Sequence, residues 1–253
     1  MPPDLEAILF DFHGTLVHGG GFSFDVAIAA LLGSLGESGL VLDEDAFRTT
    51  YRSEVTSYFE SHANRGLEQH NTVWLARTLT RLGVESSPGD EPVSRAVDAY
   101  FDRFTDEMTT YPGVADLLDD LHGRYRIGLL SNFSDPRPVR RVLERDGLAV
   151  HFDAVVISAD LDRRKPVPAI FEHALESLGA TAARTLFVGD DPTDDIEGAK
   201  AVGMRTAWVQ PGAEAPLMRW MSEDEPRAAE GADITVARVT ELATVLAEGA
   251  SRS

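Results

Sequence analysis

Asp11 closes the apolar run in "ILFDFHGTLV", and His13, Gly14 and Thr15 follow it directly. A carboxylate held at the end of a buried strand can attack phosphorus, splitting one hard displacement into two through an aspartyl-phosphate. Its plainer reading is a turn or helix-capping aspartate. An imidazole two residues further on has an ordinary pKa near 6.5 and can give or take a proton at neutral pH. Three later stretches carry chemistry of the same kind. "RIGLLSNFSD" ends an apolar run on Ser131 and Asn132, a hydroxyl and an amide that can hold an anion's oxygens. "DRRKPVP" presents Lys165, one of only two lysines in the chain, the other being Lys200. A charge retained at such a place is suited to neutralising a carboxylate and developing negative charge. "TLFVGDDPTDD" delivers Asp190, Asp191, Asp194 and Asp195, carboxylates of the kind that hard divalent cations take as ligands. For Asp191 and Asp194 the simpler reading is capping of the helix that follows.

These residues act together only if the fold gathers them. The runs "AILFDF", "RIGLLS", "DAVVIS", "TLFVGD", "TAWV" and "ADITV" are short, nearly continuously apolar and bounded by Gly, Asp, Ser or Pro. That pattern predicts strands buried on both faces of a parallel sheet. Amphipathic stretches such as "GVADLLDDLHGRY" and "PAIFEHALESLG" lie between most of them, so the chain reads as a doubly wound, Rossmann-like α/β core. In such sheets ligands sit beyond the carboxyl ends of the strands, where Asp11, Ser131 and Asp190 would all lie. Between the first strand and the rest, four stretches show helical spacing and no strand run. The division expected is a core of residues 1–17 and 111–253 with an inserted all-helical cap of residues 18–110. "HGGG" at Gly19 to Gly21 and "TTYPG" around Gly113 are the expected hinges. On the cap, His18, Phe22, Tyr51, His62 and Arg65 could face the site, although a His or Arg on an amphipathic helix is more simply solvated. "QPGAEAPLMRWMSEDEPRAAEG" reads as a surface excursion.

Asp-x-x-Gly-Thr after the first strand, Ser-Asn after the second, Lys-Pro before a helix and Gly-Asp-x-x-x-x-Asp after a later strand resemble the four motifs of the haloacid dehalogenase superfamily. The resemblance spans the chain and includes the cap position of its C1-capped members. It implies Asp11 as nucleophile, Ser131, the Asn132 amide and Lys165 as phosphoryl-binding groups, and Mg²⁺ held by Asp11, Asp190, Asp195 and the His13 backbone carbonyl. Asp195 could also act through water or by orienting the metal's shell. The chain departs from the pattern at His13, where phosphatases of the superfamily usually place a second, acid/base aspartate. Three outcomes remain open. A metal-dependent phosphomonoester hydrolase would use His13 as altered acid/base. A 2-haloacid dehalogenase would need no metal and would take the substrate carboxylate on a cap arginine, with Arg48, Arg52 and Arg65 available. A catalytically silent member would bind phosphate and regulate. A phosphonoacetaldehyde hydrolase needs a cap lysine, and residues 18–110 contain none.

Composition sets the outer bounds. The chain has 253 residues, 43% of them hydrophobic, enough for a sizeable core. Its formal charge of −19 argues against nucleic acid or an anionic membrane as partner. No run approaches the roughly 20 apolar residues that cross a bilayer. With no cysteine, thiolate chemistry and disulfides are absent. A cytoplasmic protein acting on a small phosphorylated molecule, as monomer or homodimer, is the expectation.

Overall fold

The computed structural model describes residues 5–19, 23–211 and 228–250. Phe22, part of "HGGG" and most of the expected surface excursion lie outside them. Six parallel strands form the main sheet: β1 (Ala7–Phe10), β4 (Arg126–Ser131), β5 (Ala154–Ile157), β6 (Thr185–Gly189), β7 (Arg205–Val209) and β8 (Ile234–Val236), in the order β5-β4-β1-β6-β7-β8. The chain leaves β1 for β4 and β5 on one side, then returns to β6 on the other. The strand order therefore reverses beside β1, and the crevice at that switch point opens where Asp11 and Asp190 follow their strands.

β1 is fully buried, and its alternation assigns each residue to a layer. Ile8 and Phe10 pack in one cluster with Val114, Val139 and Leu242, from α5 (Val114–Leu121), α6 (Pro136–Arg145) and α9 (Leu242–Ala250). Ala7 and Leu9 face the other cluster, with Phe171 and Ala174 of α7 (Pro168–Leu178). Gly128 leaves the space that the Leu9 side chain of the neighbouring strand fills, since a Cβ there would lie 2.5 Å from it.

Four helices fill the interval before β4: α1 (Phe24–Glu37), α2 (Glu44–Ser61), α3 (Asn71–Arg81) and α4 (Glu91–Glu107). Ser23 and Asp43 cap α1 and α2 by accepting backbone N–H bonds, which fixes where each helix starts. At the two chain crossings β2 (Val17–His18) pairs antiparallel with β3 (Thr109–Thr110), a short ribbon that the sequence did not signal. Gly113 sits just beyond it with φ near +83°, a conformation that favours glycine. The helical block reaches the core through polar bonds. His70 and Asp135 meet at 3.0 Å, Glu68 accepts from Ser158 Oγ at 2.6 Å, and Arg137 pairs with Asp98 at 2.5 Å. No helix among the described residues is long and apolar enough to cross a membrane.

Candidate active site: a carboxylate cluster under an aromatic chamber

Asp11 follows β1 immediately, its amide bonded to Val188 O of the neighbouring strand at 2.8 Å. Asp190 follows β6 in the same way, and its carbonyl is held by the Trp208 indole at 2.9 Å. The turn after β1 brings them together. Gly14, with φ near +87°, packs directly on the Asp190 carboxylate, where any Cβ would collide, and Thr15 Oγ1 donates to Asp190 Oδ1 at 3.2 Å. Gly189 likewise leaves the space that the Asp195 side chain fills. Glycines at these two places are therefore conditions for the carboxylates to converge.

Lys165 binds the cluster from below. Its ammonium, 2% exposed, donates to Asp11 Oδ1 at 2.6 Å and to Asp195 Oδ1 at 2.5 Å. The Asn132 side chain holds it there, taking the Lys165 amide on Oδ1 at 2.7 Å and giving Nδ2 to the Lys165 carbonyl at 3.1 Å. From the sequence we expected only the backbone amide of Asn132 to matter. Its side chain turns out to be the clasp that fixes the lysine. Nδ2 also donates to Asp194 at 2.9 Å, so Asp194 is not a helix cap, whereas Asp191 is, accepting from Thr193 N and Asp194 N. Ser131, 2% exposed, ends β4 on the same lip. Lys200, the other lysine, lies apart on α8 (Gly198–Ala201), bonded to the Gly231 carbonyl.

Asp11, Asp190 and Asp195 each offer an oxygen, all within 4.8 Å of one another. Three carboxylates meet one ammonium, and the surplus of negative charge shows in their titration. Burial raises all three, with Asp195 pushed up to about 7 against the pull of Lys165. For Asp190, Asp11 and Asp195 add repulsion that the attraction of Lys165 does not offset. Burial opposes the charge on Lys165 too, but Asp11 and Asp195 push its pKa up overall. An all-oxygen donor set with uncompensated charge suits a hard divalent cation such as Mg²⁺. The three members are not equivalent. Both Asp195 oxygens already accept protein bonds, from Lys165 and from the Asp191 amide at 3.0 Å, which favours an orienting role. Asp11 and Asp190 are freer to hold the ion.

His13 lines the same chamber, its Nε2 buried without a hydrogen-bond partner among the described residues. Burial, with His18 adding repulsion, pushes its pKa down to about 3. The ring is neutral at pH 7, with a free lone pair of lowered proton affinity and no extra proton to give. Of the two tasks expected of it, that charge state suits the base more than the acid.

Above the carboxylates the four helices close a chamber of about 260 Å³. Of the described residues expected to face the site from residues 18–110, Tyr51 lines it; His18, His62 and Arg65 do not. Arg48 is tied to Glu44 and Asp25 at 2.6 Å, Arg52 lies over the Phe24 ring, and Arg65 is exposed. The arginine in the wall is Arg164, which comes from the core. It donates to Tyr58 Oη at 2.9 Å and lies 3.7 Å from Glu68 and 3.8 Å from Asp194. Sequence reasoning passed over Arg164 and Glu68. The one available cue was their polarity inside otherwise loop-like segments, "GLEQH" and "DRRKP".

Comparison with known proteins agrees with this architecture. A family model described as haloacid dehalogenase-like hydrolase matches residues 5–203. A ribulose-1,5-bisphosphate 5-phosphatase of Halopiger xanaduensis is 27% identical over 237 residues, which is 93% of this chain and 97% of that protein. A phosphoglycolate phosphatase of Rhodospirillum rubrum is 34% identical over 206 residues, 79% of this chain and 77% of the relative. Among solved structures, a 2-haloacid dehalogenase from Pseudomonas syringae pv. Tomato superposes with a TM-score of 0.66 at 25% identity, covering 97% of this chain and 99% of the other.

Proposed function

Since the chain belongs to the haloacid dehalogenase-like hydrolases, we propose that it is the phosphatase kind: a Mg²⁺-dependent phosphomonoester hydrolase that works through Asp11. One observation carries the choice. The Asp11, Asp190 and Asp195 carboxylates crowd within 4.8 Å around a single ammonium, an arrangement that needs further positive charge to stay ionised. A dehalogenase needs no metal and wants a carboxylate-binding arginine on the cap. Arg48, Arg52 and Arg65 all stand outside the chamber, which speaks against that reading.

In the first step a carboxylate oxygen of Asp11 bonds to phosphorus of the ester monoanion as the ester P–O bond breaks, and the phosphoryl proton passes to the leaving oxygen so that it departs as the alcohol. In the second, water bonds to phosphorus, the neutral imidazole takes its proton, and the Asp11–phosphorus bond breaks to return the carboxylate and release phosphate. Ser131 and the Asn132 amide hold phosphoryl oxygens, and Lys165 keeps Asp11 aligned while offsetting charge on the transferring group. Mg²⁺, on Asp11, Asp190 and the His13 carbonyl with Asp195 orienting its shell, would supply the remaining positive charge at the phosphoryl oxygens. Residues 18–110 act as the cap, closing over the strand ends and keeping bulk water from the first step. The absence of cysteine fits work in the cytoplasm.

The test is turnover of a general aryl phosphate with and without Mg²⁺. We expect activity that requires the metal and is lost in Asp11→Asn while the circular dichroism spectrum and melting temperature stay close to wild type. Halide release from a 2-haloacid without metal would favour the dehalogenase reading instead, and phosphate binding without turnover would favour a silent regulatory member.

A further inference from the structure

The walls of the chamber differ sharply from its floor. Asp11, His13, Ser131, Lys165 and Asp190 form the floor, whereas the helical side is built from rings: Tyr51 of α2, Trp74 of α3, Tyr100 and Phe104 of α4, joined by Phe133 just after β4. Tyr51 stacks on Phe47 at 5.9 Å and Trp74 lies 4.9 Å from Tyr58, while the other rings pack through Phe101. Phe104 and Phe133 lie 5.0 Å apart between centroids, with Phe101 5.8 Å from Phe133 and 4.9 Å from Tyr100. A further ring entering the chamber can pack edge-to-face or offset against rings of this kind.

Charge in the chamber is already spent. The two cationic residues that line it are Lys165, held by Asp11 and Asp195, and Arg164, held by Glu68, Tyr58 and Asp194. A second phosphate or a carboxylate on the substrate would find no uncommitted cation among the described lining residues. A polyhydroxylated chain would meet mostly carbon. The polar spots of the upper wall are Asn71, the Tyr51 and Tyr100 hydroxyls already hydrogen-bonded with it, and Trp74, whose buried indole N–H has no partner among the described residues. At about 260 Å³ the space falls just under the roughly 300–1,000 Å³ of sites for drug-sized ligands. It suits a phosphoryl group and one ring rather than an extended molecule.

We infer that the substrate is the monophosphate ester of a neutral alcohol bearing a single aromatic ring, the ring lying against Tyr51, Trp74 and Tyr100 while the phosphoryl group meets Asp11. This rests on the phosphatase reading above for the reaction, but the ring preference can be read without it. Two measurements on the full-length protein with Mg²⁺ separate them. The first compares esters that share a leaving oxygen and differ in the ring: a pyrimidine nucleoside 5′-monophosphate against ribose 5-phosphate, and benzyl phosphate against propyl phosphate. The second measures binding of benzylphosphonate and propylphosphonate, which cannot be hydrolysed, by calorimetry.

We expect kcat/KM and affinity each to favour the ring-bearing member about tenfold or more. Tyr100→Ala, at a half-buried position, should erase most of that preference by lowering the ring-bearing members toward their ringless partners, and Trp74→Leu should act in the same direction. Ring preference in binding with no turnover of any ester would support the chamber's assignment and overturn the hydrolase reading alone. Equal affinity for the two phosphonates, or ribose 5-phosphate turned over as well as the nucleotide, would overturn the inference.

Discussion

His13 is the residue on which the chemistry of this site turns. Its Nε2 is buried and unpartnered and its pKa is pushed down to about 3, so at neutral pH the ring is uncharged. A base is needed when water attacks the phosphorylated aspartate, and less when a phenolic leaving group departs unaided. His13→Ala should therefore spare the first step with an aryl phosphate and slow the second, cutting steady-state turnover by about 10²–10⁴-fold. Stopped-flow absorbance should show a burst of phenol equal to the enzyme present, followed by the slow phase. Slow turnover with no burst would mean that His13 serves the first step instead. The convergence of Asp11, Ser131 and the acidic cluster could be read from the sequence because each stands at the end of an apolar run. The roles of Asn132 and Arg164 could not, because each depends on a partner distant in sequence: 33 residues separate Asn132 from Lys165, and 106 separate Arg164 from Tyr58.

Among the elements, the joint between α3 and α6 is the most sharply built. Asp135, with no exposed surface, caps α6 through the Arg137 amide and also receives the Arg137 guanidinium and His70, which caps α3. One carboxylate thus fixes the start of α6 and the start of α3 in the helical block. Burial opposes its charge, yet the bonds from His70 and Arg137 hold the carboxyl well below its ordinary 3.8. A depressed acid stabilises the fold above its unfolded pKa and stops doing so as pH falls through the folded value. Asp135→Asn should cost about 1–2 kcal/mol at pH 7, and the melting temperatures of wild type and variant should converge as pH drops below about 4. Thermal melts across pH test this, and a gap that stays constant down to acid pH would contradict it. Strands and helices were legible from periodicity, as in "RIGLLS" and "PAIFEHALESLG". The β2–β3 ribbon was not, since two residues a side carry no pattern and only tertiary closure pairs them. Asp135 was equally silent, because "SDP" before a helix looks the same whether or not a histidine 65 residues away completes it.

For the whole molecule, the surplus of negative charge and the crowding at the switch point act together. A chain of formal charge −19 gathers three carboxylates around one lysine, so folding without a cation works against repulsion. Asp190 shows the sign clearly. Its pKa is raised in the fold, so its ionisation destabilises the folded state increasingly as pH rises above the unfolded value. In EDTA at neutral pH, Asp190→Asn should therefore melt at a higher temperature than wild type. On adding Mg²⁺ the order should reverse, because wild type gains binding energy that the variant lacks. Calorimetric scans would show both effects, and a variant that gains as much from Mg²⁺ as wild type would remove Asp190 from the metal's ligands. The division into sheet and helical block was visible as a change of period along the chain. The aromatic lining of the chamber was not, since a ring on an amphipathic helix looks the same whether it faces a core or a cavity.

The account depends most on Asp11 becoming phosphorylated. Acid-quenching the protein during turnover and mapping its peptides by mass spectrometry tests this directly. We expect one phosphoryl group on the peptide "AILFDFHGTLV", localised to Asp11 and absent from Asp11→Asn. Phosphate release that continues with Asp11 unmodified, or in the Asp11→Asn protein, would contradict it.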